Sequence, residues 1–272
     1  MPINAKDINI LVDAGHYGKR NQSTVVPEYY ESERMWDLHL MLVDELRKIG
    51  FNVDTTRDEQ DKDLAVTERG RMAKDYHLVI SLHSNASEDE EKDRVAVYYQ
   101  MQTGEEFEIN SQALAEFIAP ILNEVMECSG DWKTEVRKSD YDRDKDGYRD
   151  NYYGFLRGAA DVKCIGVLIE HSYHTNERAT LWLLDDENLK ALAVVEAEAI
   201  ADFCGVEIPF LAGDVDGDGE ITQFDYILAK RIYFGTYEPT EDELKRADVD
   251  GDGTVSVFDY IAIRRKYFGT LE

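Results

Sequence analysis

Residues 78–85 read "LVISLHSN", an apolar run broken only by Ser81 that stops on His83 between two serines. A run of this length suits a strand buried on both faces, as in a parallel sheet. Two further runs share its grammar, "INILVDAGH" at 8–16 and "IGVLIEHS" at 165–172. Each carries β-formers and then, at once, a potential metal ligand or acid–base group. Ligands of an α/β sheet bind at the carboxyl ends of its parallel strands, so His16, His83 and Glu170 are expected to converge.

Around these runs the chain alternates short β-like segments with amphipathic helical ones, which predicts an α/β unit up to about Gly205. Residues 32–50 place Met35, Leu38, Leu42, Leu46 and Ile49 at helical spacing and end on Gly50, a helix stop. A strand follows at 51–56, then a helix around 64–76. A strand at 94–100, a helix at 111–128 and a last helix at 187–203 complete the unit. The segment "GVEIPFLAG" breaks the periodicity and reads as a linker. The expected organisation is therefore a first domain over 1–205, a linker over 206–212 and a second domain over 213–272.

Composition narrows the function. Acidic residues outnumber basic ones 57 to 30, for a formal charge of −27, which excludes the phosphate-neutralising surface of a nucleic-acid binder. No apolar stretch is long enough to span a membrane. "MPINAKDINI" lacks the features of a signal peptide, so a secreted protein is expected to have had its signal removed. The three cysteines, Cys128, Cys164 and Cys204, are odd in number and widely spaced; they read as buried apolar fillers.

Two histidines and one carboxylate with an open fourth position form the donor set of catalytic zinc. With His16 and His83 on strand ends, the carboxylate should come from a loop. "EYYESERM" offers Glu28, Glu31 and Glu33, and the residues alone do not choose among them. "VDAGHYG", a glutamate nineteen residues before Gly50, "SLHSNA" and "IEHSYHTN" together resemble the zinc-dependent N-acetylmuramoyl-L-alanine amidases of the Amidase_3 family. The likeness runs from about Ile8 to Phe203, and it implies a mixed, largely parallel sheet flanked by helices. It implies zinc on His16, Glu31 and His83, with Glu170 as the acid–base. The implied reaction is hydrolysis of the bond between N-acetylmuramic acid and L-alanine in peptidoglycan. Tyr17 departs from the family pattern, as do His171 and His174, which stand where the family is small or apolar. "YYGFLRG" resembles the family segment before the last catalytic strand, which puts Tyr152, Tyr153 and Arg157 at the cleft edge; core packing accounts for the two tyrosines equally well. His39 and His77 read as structural, Asn85 and Asn176 as loop ties.

"DRDKDGYRD" sets Asp142, Asp144, Asp146 and Asp150 at positions 1, 3, 5 and 9 of a calcium-type loop, but position 12 is Tyr153. It is either a third calcium site or a solvated acidic turn. Beyond the linker, "DVDGDGEITQFD" and "DVDGDGTVSVFD" repeat with a period of 34 residues. Each is a 12-residue calcium loop. Asp214, Asp216, Asp218 and Asp225 supply carboxylates in the first, with the main chain of Glu220; Asp248, Asp250, Asp252 and Asp259 do so in the second, with that of Thr254. Loop plus outgoing helix, twice, resembles a type I dockerin, a small all-α domain. That resemblance implies two calcium ions and a cohesin domain of a scaffold protein as partner. Gln223, Phe224, Val257 and Phe258 are its implied specificity positions, and the basic pairs at 230–231 and 264–265 face either partner or solvent.

The expectation is thus a secreted, cell-wall-associated zinc amidase carried by a dockerin. The alternatives are a zinc hydrolase of another peptide or amide bond, an inactive wall-binding module, or a protein whose main function is its dockerin. Glu170 together with the three ligands speaks against the inactive module.

Overall fold

The computed structural model describes residues 3–101, 111–143, 149–208 and 211–269, and the chain divides into two compact units, Met1–Glu207 and Ile208–Glu272.

The first unit is built on β1 (Asn9–Ala14), β2 (Asn52–Thr55), β3 (Leu78–Asn85), β4 (Ala96–Tyr99), β5 (Lys133–Glu135) and β6 (Ile165–Tyr173). These form one mixed sheet in the order β2-β1-β3-β6-β4-β5. β2, β1, β3 and β6 run parallel, β4 is antiparallel to β6, and β5 is parallel to β4. The reversal at β4 follows from its connection. Residues 86–95 contain no helix and are too few for a parallel crossover, which needs about a dozen residues or more.

Among the described residues, six helices accompany the sheet: α1 (Glu31–Ile49), α2 (Val66–Arg71), α3 (Ser111–Val125), α4 (Gly154–Asp161), α5 (Glu177–Leu184) and α6 (Asp186–Phe203). Strand alternation sorts the core. Ile10, Val12, Ile80, Leu82, Val167 and Ile169 pack with Leu38, Leu42, Ile118 and Leu192 of the long helices α1, α3 and α6, whereas Leu11, Val79 and Leu168 pack with Phe155 and Leu156 of α4. Each fully buried aliphatic side chain contributes about 1.5–3 kcal/mol through burial.

The thin face is closed by a contact between glycines. A Cβ on Gly70 of α2 would strike the backbone of Phe155 and Gly158, and one on Gly158 of α4 would strike that of Thr67. With helices of only six and eight residues on this side, the carboxyl ends of β1, β3 and β6 are left open there. The sequence reading missed β5, α4 and α5, and drew α2 too long. α1 ends as expected: Gly50 takes a left-handed φ of 110°, and its N–H and that of Phe51 donate to the Leu46 carbonyl.

The second unit contains α7 (Gln223–Tyr233), α8 (Glu241–Ala247) and α9 (Val257–Tyr267). Val215, Ala229, Ala247 and Ile263 are its buried core, with Tyr226 and Tyr260 packed against them. So small a core is marginal by itself. The starts of α7 and α9 carry matching capping boxes, Thr222 with Asp225 and Ser256 with Asp259. The last residue of each acidic loop is therefore also part of the first turn of its helix. No helix among the described residues is long and apolar enough to cross a membrane.

Candidate metal centre

β1 delivers His16 two residues beyond its end, β3 delivers His83, and α1 opens on Glu31. Glu31 Oε1 lies 2.9 Å from His83 Nδ1, and Glu31 Oε2 lies 3.3 Å from His16 Nε2. The two imidazoles meet edge to face, with centroids 5.1 Å apart. One donor atom from each of the three residues falls within 4.8 Å of the others. Donors around a tetrahedral zinc with bonds of about 2.0–2.1 Å stand roughly 3.3 Å apart, so both the spacing and the donor types fit that ion. Glu28 is exposed and Glu33 is drawn to Lys19; Glu31 is the carboxylate the fold brings to the histidines.

Glu31 is 2% exposed. Burial would raise its pKa, but hydrogen bonds from the His16 and His83 rings hold it well below the ordinary carboxylate range. The Ser84 N–H donates to Oε1 at 3.1 Å and the Asn21 amide to Oε2 at 2.6 Å. Asn21 Nδ2 also lies 3.0 Å from His16 Nε2. The sequence reading missed Asn21, which stands apart from every motif. Ser32, next to Glu31, ties the His16 loop to α1: its hydroxyl accepts from the Arg20 N–H at 2.7 Å and lies 2.9 Å from the Gly18 carbonyl.

The backbone at this centre is strained. His16 has a left-handed φ of 58°, a region that costs a residue with a side chain roughly 1–2 kcal/mol. β6 carries a second irregularity. His83 and Glu170 are register partners, but the next pair is Asn85 with Tyr173, and Ser172 inside this bulge has φ 58°. Asp93 secures the bulge: its carboxylate accepts from the Ser172 hydroxyl at 2.8 Å and from Arg178 through two bonds of 2.6 Å.

Glu170 shares its face of the sheet with Leu168 and is 7% exposed. Its Oε2 has no hydrogen-bond partner among the described residues. Burial, and then the Glu31 carboxylate, lift its pKa well above the ordinary value, with Arg137 opposing. A carboxyl held this way keeps its proton to higher pH, as a general acid must.

These groups line an open cleft of about 880 Å³ that also includes Asp13, Tyr17, Tyr152, Tyr153, Arg157 and His174. Tyr152 is exposed while Tyr153 also packs against the core around Phe155 and Leu168, and Arg137 lies over the Tyr152 ring at 3.9 Å from its centroid. Asp13 is buried, its carboxylate accepting from the Thr56 hydroxyl at 2.5 Å and the Ser81 hydroxyl at 2.7 Å. His171 faces away, between the His83 carbonyl and Glu196. His39 is buried in α1, His77 accepts from the Asn9 N–H, Asn176 caps α5 and Asn85 accepts from the Ala86 N–H. Cys164 is buried, Cys128 and Cys204 are half-buried, and all three are free.

Of the acidic loop between β5 and α4, Asp142 is exposed and Asp150 half-buried; Asp144 and Asp146 lie outside the described residues. In the second unit, carboxylates of Asp214, Asp216 and Asp218 come within 4.8 Å of one another, as do those of Asp248, Asp250 and Asp259. Asp225 stands outside the first cluster, accepting from the Val215 N–H at 2.6 Å and the Thr222 N–H at 2.7 Å. Asp252 is likewise outside the second, and Glu220 and Thr254 occupy the exposed rims of their loops. Phe224 and Phe258 are 64% and 73% exposed, Gln223 is exposed and Val257 is half-buried.

The profile of the N-acetylmuramoyl-L-alanine amidase family matches residues 10–202, and that of the dockerin type I domain matches residues 212–266. Among solved structures, the chain is similar to the catalytic domain of CwlV, an N-acetylmuramoyl-L-alanine amidase from Bacillus (Paenibacillus) polymyxa var. colistinus. The TM-score is 0.60 at 18% identity, over 74% of this chain and 99% of that one. AmiC2 of Nostoc punctiforme gives 0.57 at 17% identity over 74% and 98%, and Ami1 from Mycobacterium smegmatis 0.57 at 17% over 75% and 100%. These likenesses show a common fold. No curated protein matches the chain.

Proposed function

The chain belongs to the N-acetylmuramoyl-L-alanine amidase family and carries a type I dockerin domain, and from that premise we propose that it hydrolyses the amide between the lactyl group of N-acetylmuramic acid and L-alanine in peptidoglycan. The observation that carries this reading is the buried Glu170 carboxyl, with one oxygen unpartnered, in the same cleft as the His16–Glu31–His83 cluster.

His16, Glu31 and His83 would hold a zinc ion, which when bound supplies Lewis acidity, polarising a carbonyl and acidifying water. Glu31, kept ionised by its histidine neighbours, contributes the negative charge. Glu170 takes a proton from the attacking water and returns it to the leaving nitrogen. Its raised pKa favours the second transfer, because the carboxyl holds the proton until the amine departs.

The dockerin would load two calcium ions on the loops 214–225 and 248–259 and tether the enzyme to a cohesin of a scaffold protein, outside the cell. The acidic clusters and the exposed Phe224 and Phe258 support that part. Incubating purified muropeptides with the zinc-loaded protein and identifying the released group by mass spectrometry tests the reaction. Release of peptides with a free L-alanine amine is expected; cleavage at another bond, or none, overturns it.

A further inference from the structure

His174 is a buried polar group of the cleft for which the proposed chemistry has no use. It is 5% exposed, lines the cleft, and stacks on the fully buried Tyr29 ring, with centroids 5.9 Å apart and planes 19° apart. Its Nδ1 lies 2.9 Å from the Ser84 carbonyl oxygen and 3.0 Å from the Ser84 hydroxyl oxygen. A carbonyl only accepts, so Nδ1 carries a hydrogen and donates. In the neutral ring the other nitrogen, Nε2, is then a bare acceptor. Burial lowers the His174 pKa, which keeps the ring neutral at neutral pH.

Nε2 has no hydrogen-bond partner among the described residues, and it is not among the nitrogens sealed in the interior. Its remaining direction is the cleft. His174 is also outside the cluster whose donor atoms gather within 4.8 Å, so it is not a fourth member of the metal set. The Tyr29 stack and the Ser84 carbonyl together fix the ring plane, so the acceptor is built in place before any substrate arrives.

We propose that His174 is a substrate-anchoring residue whose Nε2 accepts a hydrogen bond from an amide N–H of the muramoyl peptide, an inference that rests on the amidase reading above. Two donors share this chemistry, the backbone N–H of the stem peptide and the acetamido N–H of the sugar.

Asparagine and glutamine separate anchoring from support of the fold. His174→Asn can keep the donation to Ser84 while losing the cleft acceptor, and His174→Gln can keep an acceptor in the cleft while losing that donation. The measurement is calorimetric binding of N-acetylmuramoyl-L-alanyl-D-isoglutamine to the zinc-loaded full chain in a Glu170→Gln background, which leaves the ligand uncut, with melting temperature and zinc affinity taken on the same samples. Loss of one neutral hydrogen bond predicts about a tenfold higher Kd for His174→Asn. His174→Gln should stay within threefold of the unaltered protein, with zinc affinity unchanged in both. An unchanged Kd in His174→Asn overturns the proposal, as does a Kd defect that follows the melting temperature in both variants. Repeating the titration with lactoyl-L-alanyl-D-isoglutamine, which lacks the sugar, identifies the donor. A persisting tenfold difference assigns the peptide N–H, and its disappearance assigns the acetamido group. Ligand binding in that background, with no turnover when Glu170 is present, would remove the amidase reading and leave the anchor standing; no binding with His174 intact would remove both.

Discussion

The Cβ that Gly15 lacks would fall 2.5 Å from Cε1 of the His83 ring and 2.7 Å from the Leu82 carbonyl oxygen. The turn after the first strand thus lies directly against the His83 ring carried by its neighbour, and only hydrogen fits between them. Gly15→Ala is expected to push His83 off its position against Glu31 and weaken zinc binding by at least tenfold, with a smaller loss of stability from overpacking, about 1–3 kcal/mol. Competitive zinc titration with a chromogenic chelator measures the first effect and urea unfolding the second.

Glu170→Gln should retain zinc and lose turnover by about 10²-fold or more, since an amide cannot carry the proton, whereas His16→Ala and His83→Ala should lose the metal. The same change should stabilise the metal-free protein at pH 7. A carboxyl whose folded pKa lies above its unfolded value weakens the fold as pH rises past the unfolded value. A melting temperature at pH 7 that drops in the metal-free Glu170→Gln protein would contradict this.

Asp93 supplies a pH signature of the opposite sign. Burial alone would raise its pKa, but Arg178, the Ser129 N–H and the Ser172 hydroxyl bring it down to about 2. Its contribution is complete above the unfolded value of about 3.9 and fades as pH falls towards 2. Asp93→Asn should lower stability at pH 7 by about 2 kcal/mol and flatten the acid limb of the stability profile between pH 4 and 2, as read by urea unfolding at a series of pH values.

Calcium should govern the second unit alone. Desolvation of its carboxylate, with Asp225 and Asp218 beside it, pushes Asp216 up to about 6, so without a cation the first loop loses stability as pH rises from about 4 through 6. Chelation at pH 7 is therefore expected to melt residues 211–269 and leave the larger unit folded. Two calorimetric transitions, one of them abolished by chelator, are the expected record.

Phe224→Ala and Phe258→Ala should leave the fold intact, because both rings are largely exposed. The two loop–helix copies are alike, so each single change is expected to weaken cohesin binding only a few-fold while the other copy substitutes, and the double change about a hundredfold or more. Gln223 against Val257 should bias which copy is preferred. Titration of the three variants against a cognate cohesin distinguishes this from a single binding face, for which one change would abolish binding.

Much of the larger unit was legible because strong local signals agreed with the global fold: apolar runs ending on His83 and Glu170, and a long amphipathic helix stopped by Gly50, whereas the choice of Glu31 over Glu28 and Glu33 came only from the family resemblance. What escaped reading was short or non-local. β5 has three residues and no hydrophobic pattern, and α4 is only eight residues long, with Gly158 packed against Gly70 far away in sequence. Asn21 reaches Glu31 through a loop whose conformation no spacing rule encodes. His174 looked like a departure from a pattern; its meaning depends on the Ser84 carbonyl, 90 residues away in sequence.

The left-handed backbone at His16 sets stability against function at a single position. Glycine adopts that conformation freely, so a library sorted only for thermal resistance would enrich His16→Gly and discard the metal site in the process. Directed evolution of this chain for robustness therefore has to score zinc retention in every round, or its winners will be sturdier proteins that no longer cut.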